Sequence, residues 1–278
     1  MLDPLTDVER ARRQLGKRPR SSRAVHEARK SLKRARAVLR LGRGSAVEKR
    51  CLGADFACRR AARALAPLRD TRVFAGTLEK LLERGTEDLS RKDRAFGRDL
   101  VVRARRAEAS ALADGAAFRR AKAALRACPR GLGPGSFGRA ISASLEDGLR
   151  RSYRRSRRAY RAARSSPEKG RFHAIRKAAK RLLYELERLT PRPRGARGVK
   201  IEALRRLTKV LGDEHDLALL RRRLNRCPGE GAPAAIRRLA RKRQRRLLRR
   251  ALGIAKALFS EKPAVFAATL RFNSSVIQ

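Results

Sequence analysis

Two segments with the same basic pattern lie in the two halves of the chain. His26–Arg34 and His173–Arg181 both read H-x-x-R-K-x-x-K-R, at an offset of 147 residues. A second pair follows at an offset of 146, where Leu65–Asp70 aligns with Leu211–Asp216. Two matches in the same order and at nearly the same spacing indicate an internal repeat. We therefore expect each half to be one helical unit of the same kind.

The spacing of the apolar residues predicts an all-α protein. The alternation typical of strands is nearly absent, and apolar residues recur at helical spacing between Gly and Pro residues. The richest cluster of these helix breakers, at 128–135, suggests an N-terminal helical half at 22–128, a linker at 129–135 and a C-terminal helical half at 136–270. The predicted helices are Ser22–Leu41, Val47–Leu65, Leu68–Glu83, Ser90–Leu112, Gly115–Ala127, Ser136–Arg164, Glu168–Leu189, Val199–Arg226 and Ala232–Phe259.

The first repeated segment belongs to a helix with a basic row beside its apolar stripe. One residue corresponds to about 100° around a helix, so the two rows are neighbours. The apolar stripe is Val25, Ala28, Leu32, Ala35 and Leu39. The basic row is His26, Arg29, Lys33, Arg36 and Arg40, widened by Lys30 and Arg34. Burial of the stripe would place the basic row at the edge of the core.

The second repeated segment has the same arrangement over a shorter distance. Its apolar stripe is Phe172, Ile175, Ala179, Leu182, Leu186 and Leu189. Its basic row is His173, Arg176 and Lys180, widened by Lys177 and Arg181. The row ends there, because Leu183 and Glu187 stand where the first helix has Arg36 and Arg40.

The excess of basic residues restricts the partners that this chain can have. There are 74 Lys plus Arg against 26 Asp plus Glu, and the formal net charge is +48. Such a charge opposes compaction unless an anion relieves it, which points to polyphosphate, nucleic acid or an anionic membrane surface. A plain solvated face is the alternative interpretation of each basic row. Solvated faces usually mix signs because like charges four residues apart repel, so the repeated rows favour an anion-lined groove.

The repeated motifs resemble those of the CHAD family, the conserved histidine α-helical domain. Each basic helix is followed by an Arg-Asp or His-Asp step, at Arg69-Asp70 and His215-Asp216. The resemblance runs from about Ser22 to Phe266, so the whole chain, 1–278, is interpreted as a single CHAD domain made of two repeats. It implies two pseudo-symmetric antiparallel four-helix bundles with a basic central cavity.

The resemblance also implies the ligand and the residues that bind it. Members of the family bind inorganic polyphosphate and can associate with polyphosphate granules. Two departures from the family pattern concern Leu183, where a basic residue is usual, and His215, where a polar amide or Arg is usual. The ligand-binding residues carried over by the motif are His26, Arg29, Lys33, Arg34, His173, Arg176, Lys180 and Arg181.

Other candidate residues lie outside the two motifs. Arg154 and Arg157 share one face of the helix predicted within Ser136–Arg164, so they are candidates for lining the site. Asp70 and Asp216 are expected to orient an Arg or to cap a backbone end next to the ligand, with simple charge balance as the alternative. The last long helix is a less favoured candidate through Arg238, Lys242, Arg245, Arg246 and Arg249.

Residue types favour non-catalytic binding of inorganic polyphosphate. Arg offers a planar fork to phosphate oxygens, whereas single-strand nucleic-acid binders also use aromatic stacking, and aromatic residues are only 4% of this chain. A nucleic-acid-binding architectural protein is the alternative, supported by net charge alone. A phosphohydrolase is less favoured, because we find no P-loop or carboxylate cluster and Glu185-Leu-Glu187 lies on a predicted helix. No cofactor and no metal are predicted.

The remaining signals concern location and protonation. Met1–Arg10 lacks an apolar signal core, and no apolar run is long enough to span a membrane, so we expect a cytoplasmic protein without membrane insertion. Cys51, Cys58, Cys128 and Cys227 have no metal-binding spacing, and the first two should share a helix face. A polyanion near His26 and His173 would favour their charged form, which predicts tighter binding at mildly acid pH.

Overall fold

The computed structural model describes residues 3–85, 87–129, 131–133, 135–166, 168–226 and 234–270. Across these residues the regular secondary structure is helical and no strand occurs, which confirms the all-α prediction. The first six helices are α1 (Pro4–Gly16), α2 (Ser22–Leu39), α3 (Glu48–Ala64), α4 (Ala66–Glu83), α5 (Arg91–Asp114) and α6 (Ala116–Arg126). The others are α7 (Ser136–Ile141), α8 (Leu145–Ser165), α9 (Lys169–Leu189), α10 (Gly195–Leu224), α11 (Ala234–Leu258) and α12 (Pro263–Leu270).

Helix α1 was not predicted from the sequence, although local signals for it exist. The Asp3 side chain accepts from the backbone N–H groups of Leu5 and Thr6, and Pro4 occupies the first helical position. Helix α1 lies before the predicted range 22–128, and its buried face packs against α2 and α6. The N-terminal segment therefore contributes to the core next to the first basic helix.

The helix predicted at Ser136–Arg164 is wrong in one respect, because it is interrupted. A 3₁₀ turn at Ser142–Ser144 separates α7 from α8. Ser142 Oγ donates to the carbonyl of Arg139, and Ser144 Oγ donates to the carbonyl of Ile141. Serine hydroxyls compete in this way for the carbonyls that a continuous helix would use. After the interruption α8 continues to Ser165 and packs against α9.

Equivalent helices pair in the same order in the two halves. In the N-terminal half α1 packs on α2, α2 on α3, and α4 on α5. In the C-terminal half α8 packs on α9, α9 on α10, and α10 on α11. The long helix α10 takes the place of both α3 and α4, which are separated at Leu65. Contacts of α2 with α9 and of α4 with α10 join the halves. The finer division into two pseudo-symmetric four-helix bundles stays a prediction.

Two apolar cores hold these helices together. The larger core combines residues of both halves, including Leu32 of α2 and Leu182 of α9. The smaller core lies between α4, α5, α10 and α11 and includes Leu78 and Leu220. Because the larger core crosses the boundary between the halves, the relative position of α2 and α9 is fixed by packing.

Two predictions about cysteines and membranes can be compared with the described residues. Cys51 and Cys58 are buried thiols of α3 that lie in the larger core, as predicted, and Cys128 is half-buried. Cys227 lies outside the described residues, as does the rest of the segment 227–231 between the last two predicted helices. In the described ranges, no helix has the length and apolar character needed to cross a membrane.

Candidate functional site

The two basic helices are oriented by the burial of their apolar stripes. Every residue of the predicted stripes on α2 and α9 is buried, from Val25 to Leu39 and from Phe172 to Leu189. Since α2 and α9 also pack on each other, their neighbouring basic rows meet at the same place. The prediction of two rows bordering the buried stripes is confirmed.

A cavity of about 650 Å³ lies along this contact. Its walls come from α2, α3, α8 and α9, together with Arg40, Arg43 and Ala66. Among its lining residues twelve are cationic and two, Glu48 and Asp55, are acidic. The cationic residues are Arg29, Lys33, Arg36, Arg40, Arg43, Arg59, Arg63, Arg155, Arg176, Lys177, Lys180 and Arg181.

Part of this positive charge is paired within the protein. Asp55 of α3 accepts from Arg36 Nε at 2.8 Å and from Arg40 Nη2 at 3.2 Å. Arg181 Nε donates to Oε1 of the fully buried Glu185 at 2.6 Å. These ion pairs orient the three guanidinium groups, and each group keeps further N–H groups for another acceptor.

Four cations at the α2–α9 contact have no carboxylate partner, and we call them the inner cluster: Arg29, Lys33, Arg176 and Lys180. Throughout the described ranges, no carboxylate oxygen lies within ion-pair distance of any of these four. Arg29 Nη1 donates to the carbonyl of Ala62, but the Nε atoms of Arg29 and Arg176 are buried without a hydrogen-bond partner. Buried donors without acceptors are costly, so the cluster is suited to an anionic ligand.

The protonation of the inner cluster reflects this crowding. Burial, with Arg29 and Arg176 as the next causes, lowers the pKa of Lys33 to about 7. Burial also lowers the pKa of Lys180, to which Arg176 contributes in the same direction. Protonation of Lys33 is therefore unfavourable until an anion compensates the charge of the cluster.

Comparison with known families shows to which family the chain belongs. The sequence model of the CHAD domain family matches residues 5–225, from α1 to the end of α10. The chain belongs to the CHAD family. The match begins before Ser22 and ends before Phe266, the limits expected from the motifs alone. No curated protein and no solved structure matches the chain.

Two carboxylates of the CHAD domain hold an arginine next to the inner cluster. Arg69 Nη1 donates to Asp70 Oδ1 at 3.2 Å, and its Nη2 donates to Asp216 Oδ1 at 3.1 Å. Burial raises the pKa of Asp216, and the positive charges of Arg69 and Arg176 oppose that rise. Both Asp residues contact the guanidinium of Arg69; that they orient it for a ligand stays a prediction.

The two motif histidines are not among the residues that line the cavity. His26 is 71% exposed, and its Nε2 lies 3.9 Å from Glu27 Oε1. His173 stacks on His215, with ring centroids 4.7 Å apart. Burial, reinforced by Arg176, lowers the pKa of His215 to about 3. Partial burial also lowers the pKa of His26 and that of His173. Tighter binding at mildly acid pH stays a prediction.

The cations Lys30 and Arg34 also lie away from the cavity lining. Lys30 Nζ is 3.6 Å from Glu27 Oε2 on the same helix. Arg34 lies over the ring of Tyr184 and near Glu187 of α9. Of the predicted binding residues, the structure therefore brings together Arg29, Lys33, Arg36 and Arg40 with Arg176, Lys177, Lys180 and Arg181.

The contribution of α8 differs from the prediction. Arg155 lines the cavity, and the expected Arg154 and Arg157 do not. Arg154 is exposed, while Arg157 Nε donates to the carbonyl of Phe259 at 3.1 Å. Arg157 thus ties α8 to the end of α11. The prediction chose the face of α8 that carries Arg154 instead of the face that carries the neighbouring Arg155. Arginines are so frequent in α8 that the sequence alone does not show which of them lines the cavity.

Several cavity residues were missed in the sequence. Arg59 and Arg63 of α3 lie four residues apart and follow Asp55 at helical spacing, so they share one face of that helix. Tyr184 lines the cavity and lies 5.4 Å from Lys180 Nζ, measured to the ring centroid. The spacing of Asp55, Arg59 and Arg63 is a signal in the sequence for the wall that α3 contributes. It becomes visible when the polar face of α3 is compared with the basic row of α2.

Proposed function

We propose that this CHAD domain binds inorganic polyphosphate in the basic cavity without catalysing its hydrolysis. The observation that carries the proposal is the inner cluster, whose four cations have no carboxylate partner among the described residues. Phosphate oxygens would accept from the guanidinium groups of Arg29 and Arg176, which line the cavity, and compensate the charge on Lys33 and Lys180.

The form of the cavity supports a chain of phosphates as the ligand. The row on α2 extends from Arg29 to Arg40, which corresponds to roughly 16 Å along a helix. Several linked phosphate groups can contact such a row at once. The one aromatic lining residue, Tyr184, already contacts Lys180 and Arg34, so its ring offers little surface for stacking a base.

The carboxylates of the cavity support a binding role over a catalytic one. Asp55 is engaged by Arg36 and Arg40, and Glu48 Oε2 accepts from the backbone N–H of Gly44 at 3.1 Å. A carboxylate that acts as general base must be free to take a proton from the attacking water. In the described part of the chain, no group of three or more His, Cys, Asp or Glu residues could hold a metal ion.

The proposed location follows from the proposed ligand. A cytoplasmic protein of this kind would meet polyphosphate as free chains and as granules. Association with granules requires only that some bound chains belong to a granule. Labelled protein should therefore sediment with isolated polyphosphate granules and be released by added soluble polyphosphate.

A titration of polyphosphate into purified protein tests the binding proposal. Arg29→Ala and Arg176→Ala should each weaken binding roughly tenfold or more, because each removes charge-assisted hydrogen bonds. Arg106→Ala is the matched control, since Arg106 is an exposed arginine of α5 outside the cavity. Equal effects of all three changes would mean that binding depends on net charge, and the proposal would fail.

Two further measurements address the alternatives. Polyphosphate should displace duplex DNA from the protein at equal phosphate concentration if the cavity is the preferred site. DNA that resists displacement would favour the nucleic-acid-binding alternative, which rests on the net charge of +48. Incubation with Mg²⁺ and polyphosphate should release no phosphate, and protein-dependent release would favour a phosphohydrolase.

A further inference from the structure

The last long helix, α11, differs in charge from its counterpart in the first half. Helix α5 packs on α4 as α11 packs on α10, and both helices border the smaller core. Arg91–Asp114 of α5 contains seven Lys or Arg and four Asp or Glu, whereas Ala234–Leu258 of α11 contains ten Lys or Arg and no acidic residue. A general preference for arginine in this chain would affect both helices, so the lack of acids is particular to α11. The match to the CHAD family ends at residue 225, before α11 begins.

The buried side of α11 determines which of its cations face solvent. Ile236 and Ala240 are fully buried against the neighbouring helices. Gln244 is 6% exposed, its Nε2 donates to Glu214 Oε1 at 2.6 Å, and its Oε1 accepts from Arg221 Nη1 at 2.7 Å. These contacts with α10 fix the rotation of α11 about its axis. The cations on the opposite side therefore point away from the protein.

Four cations lie along the outer side of α11, and we call them the outer row: Arg238, Lys242, Arg245 and Arg249. All four are exposed, and they lie within about 60° around the helix and extend over roughly 16 Å along it. As far as the structure describes the chain, the only carboxylate oxygen within ion-pair distance of the row is Asp88 Oδ1, 3.6 Å from Lys242 Nζ. Like charges three or four residues apart repel each other, and a bound anion would relieve that repulsion.

The outer row is separate from the basic cavity. None of the residues that line the cavity belongs to α11, so the last long helix, a less favoured candidate in the sequence, does not contribute to that site. Helix α9 forms one wall of the cavity and packs on α10, and α10 packs on α11. Since α10 lies between the wall and α11, a ligand in the cavity leaves the outer row accessible to a second ligand.

The chemistry of the outer row fits a phosphate chain that has no bases. Aromatic residues are absent from α11, and its one side-chain amide, that of Gln244, is buried. A base would therefore find neither a ring for stacking nor an exposed amide to bind. None of the exposed large apolar residues lies on α11, so the row has no apolar side chains to insert into a membrane surface.

We infer that the outer row is a second polyphosphate-binding surface, so that one molecule can join two chains, one in the cavity and one on α11. This inference rests on the proposed function. The outer row binds more weakly than the cavity, since solvent and salt screen exposed charges. On long chains many such contacts act together, and molecules that join two chains gather them into large assemblies.

Light scattering from mixtures with long polyphosphate chains tests this inference. The variant Arg238→Gln, Arg245→Gln and Arg249→Gln, called the α11 variant, removes three charges of the outer row and keeps residues that favour a helix. At physiological ionic strength the unaltered protein should form large assemblies with long chains. The α11 variant should scatter roughly fivefold less or lower, because only the cavity remains to hold a chain.

The matched control is Arg91→Gln, Arg98→Gln and Arg106→Gln on α5, which removes the same charge from three exposed arginines of the counterpart helix. The control should keep the assemblies. Equal scattering from the α11 variant and the control overturns the inference, because net charge or another surface would then join the chains. A lack of assemblies with the unaltered protein also overturns it. Neither outcome affects the proposed function.

Titration with short chains distinguishes this inference from the proposed function. Short chains bind in the cavity, so the α11 variant should bind them within roughly twofold of the unaltered protein. A loss as large as that of Arg176→Ala would mean that α11 belongs to the same site, and the inference would be wrong. If the unaltered protein binds no short chains, the proposed function itself fails.

Two further measurements complete the test. Duplex DNA is titrated into the same proteins, and an α11 variant that loses DNA binding but keeps the assemblies would assign the outer row to nucleic acid and overturn the inference. The α11 variant should unfold at a Tm no lower than that of the unaltered protein, because the change relieves repulsion between like charges. If the variant does not fold, the unaltered protein decides: raised salt should disperse the assemblies while short chains stay bound, and assemblies that persist contradict the inference.

Discussion

Arg69 of α4 donates from Nη2 to Asp216 Oδ1 of α10 at 3.1 Å, and from Nη1 to Asp70 Oδ1 at 3.2 Å. Asp70 and Asp216 are matching positions of the repeat, so one guanidinium holds equivalent carboxylates from both halves. The counterpart of Arg69 is His215, which stacks on His173. At this position only the N-terminal half supplies an arginine that binds both carboxylates. This contact between the halves lies directly beside the inner cluster.

Replacement of Arg69 by Met should destabilise the fold by about 2 kcal/mol, because Asp216 would keep a partly buried charge without its partner. This corresponds to a decrease in Tm of roughly 4–8 °C for a protein of this size. The pKa of Asp216 is already raised by burial, so the loss should be smaller at pH 4, where the carboxyl group is more protonated.

Thermal unfolding at pH 7 and pH 4 measures this effect. Arg72→Met on the same helix is the control, since Arg72 is 53% exposed and its closest carboxylate oxygen is 3.8 Å away. A loss that is equal at both pH values would show that the pair with Asp216 does not contribute to stability.

The affinity for polyphosphate should fall as the pH rises above neutrality. The pKa of Lys33 is about 7 in the free protein, and a bound polyanion raises it toward the ordinary value of about 10.4. Binding therefore takes up a proton between these two values, and the association constant should decrease up to roughly tenfold per pH unit there. Below about pH 7 Lys33 is already protonated, so its contribution should become constant.

Binding curves between pH 6 and pH 9, compared with those of Lys33→Arg, separate this effect from others. An arginine stays charged throughout the range, so the variant should lose most of the pH dependence. Titration of the ligand itself affects both proteins equally. A slope that is unchanged in Lys33→Arg would show that Lys33 does not bind the ligand in its charged form.

The free protein should become more stable when Lys33 is replaced by Met. Because the pKa of Lys33 is lower in the folded than in the unfolded protein, protonation destabilises the fold. That cost is complete below about pH 7 and disappears as the pH rises toward about 10.4. Met keeps a similar volume without charge, so Tm at pH 6 should rise by roughly 2–4 °C, about 1 kcal/mol.

In saturating polyphosphate the unaltered protein should have a higher Tm than Lys33→Met. Ligand binding stabilises the unaltered protein more, because it keeps the charge of Lys33. Arg106→Met, on the exposed surface of α5, is expected to change Tm little. A lower Tm for Lys33→Met without ligand would mean that the amine is compensated in the folded protein.

The helical fold and one wall of the site could be predicted because both depend on local periodicity. Stripes spaced by three and four residues determine which side of α2 and α9 is buried, and the adjacent basic rows follow from the angle between successive residues. Contacts between distant segments have no such signal. The sequence did not indicate that α3 would bring Arg59 and Arg63 to the same cavity, or that Asp55 would pair with Arg36.

The positions of the histidines show a second limit. The pattern placed His26 and His173 first in their basic rows. The first turn of such a row can lie beyond the point where the two helices are in contact. His26 is exposed and His173 packs on His215, while Arg29 and Arg176, one turn later, line the cavity. Only the packing of α2 on α9 determines where along each row the cavity begins.

Two adjacent arginines of α8 provide the most direct test of the cavity. Arg155 lines the cavity, whereas the exposed Arg154 does not. Replacing either residue by Ala removes one positive charge from the same helical turn. Arg155→Ala should weaken polyphosphate binding about fivefold, about 1 kcal/mol for one charge-assisted contact near solvent. Arg154→Ala should remain close to the unaltered protein, since a screened surface charge contributes little. Calorimetric titration of both variants decides, and equal losses would mean that the ligand follows the outer surface of α8 instead of the cavity.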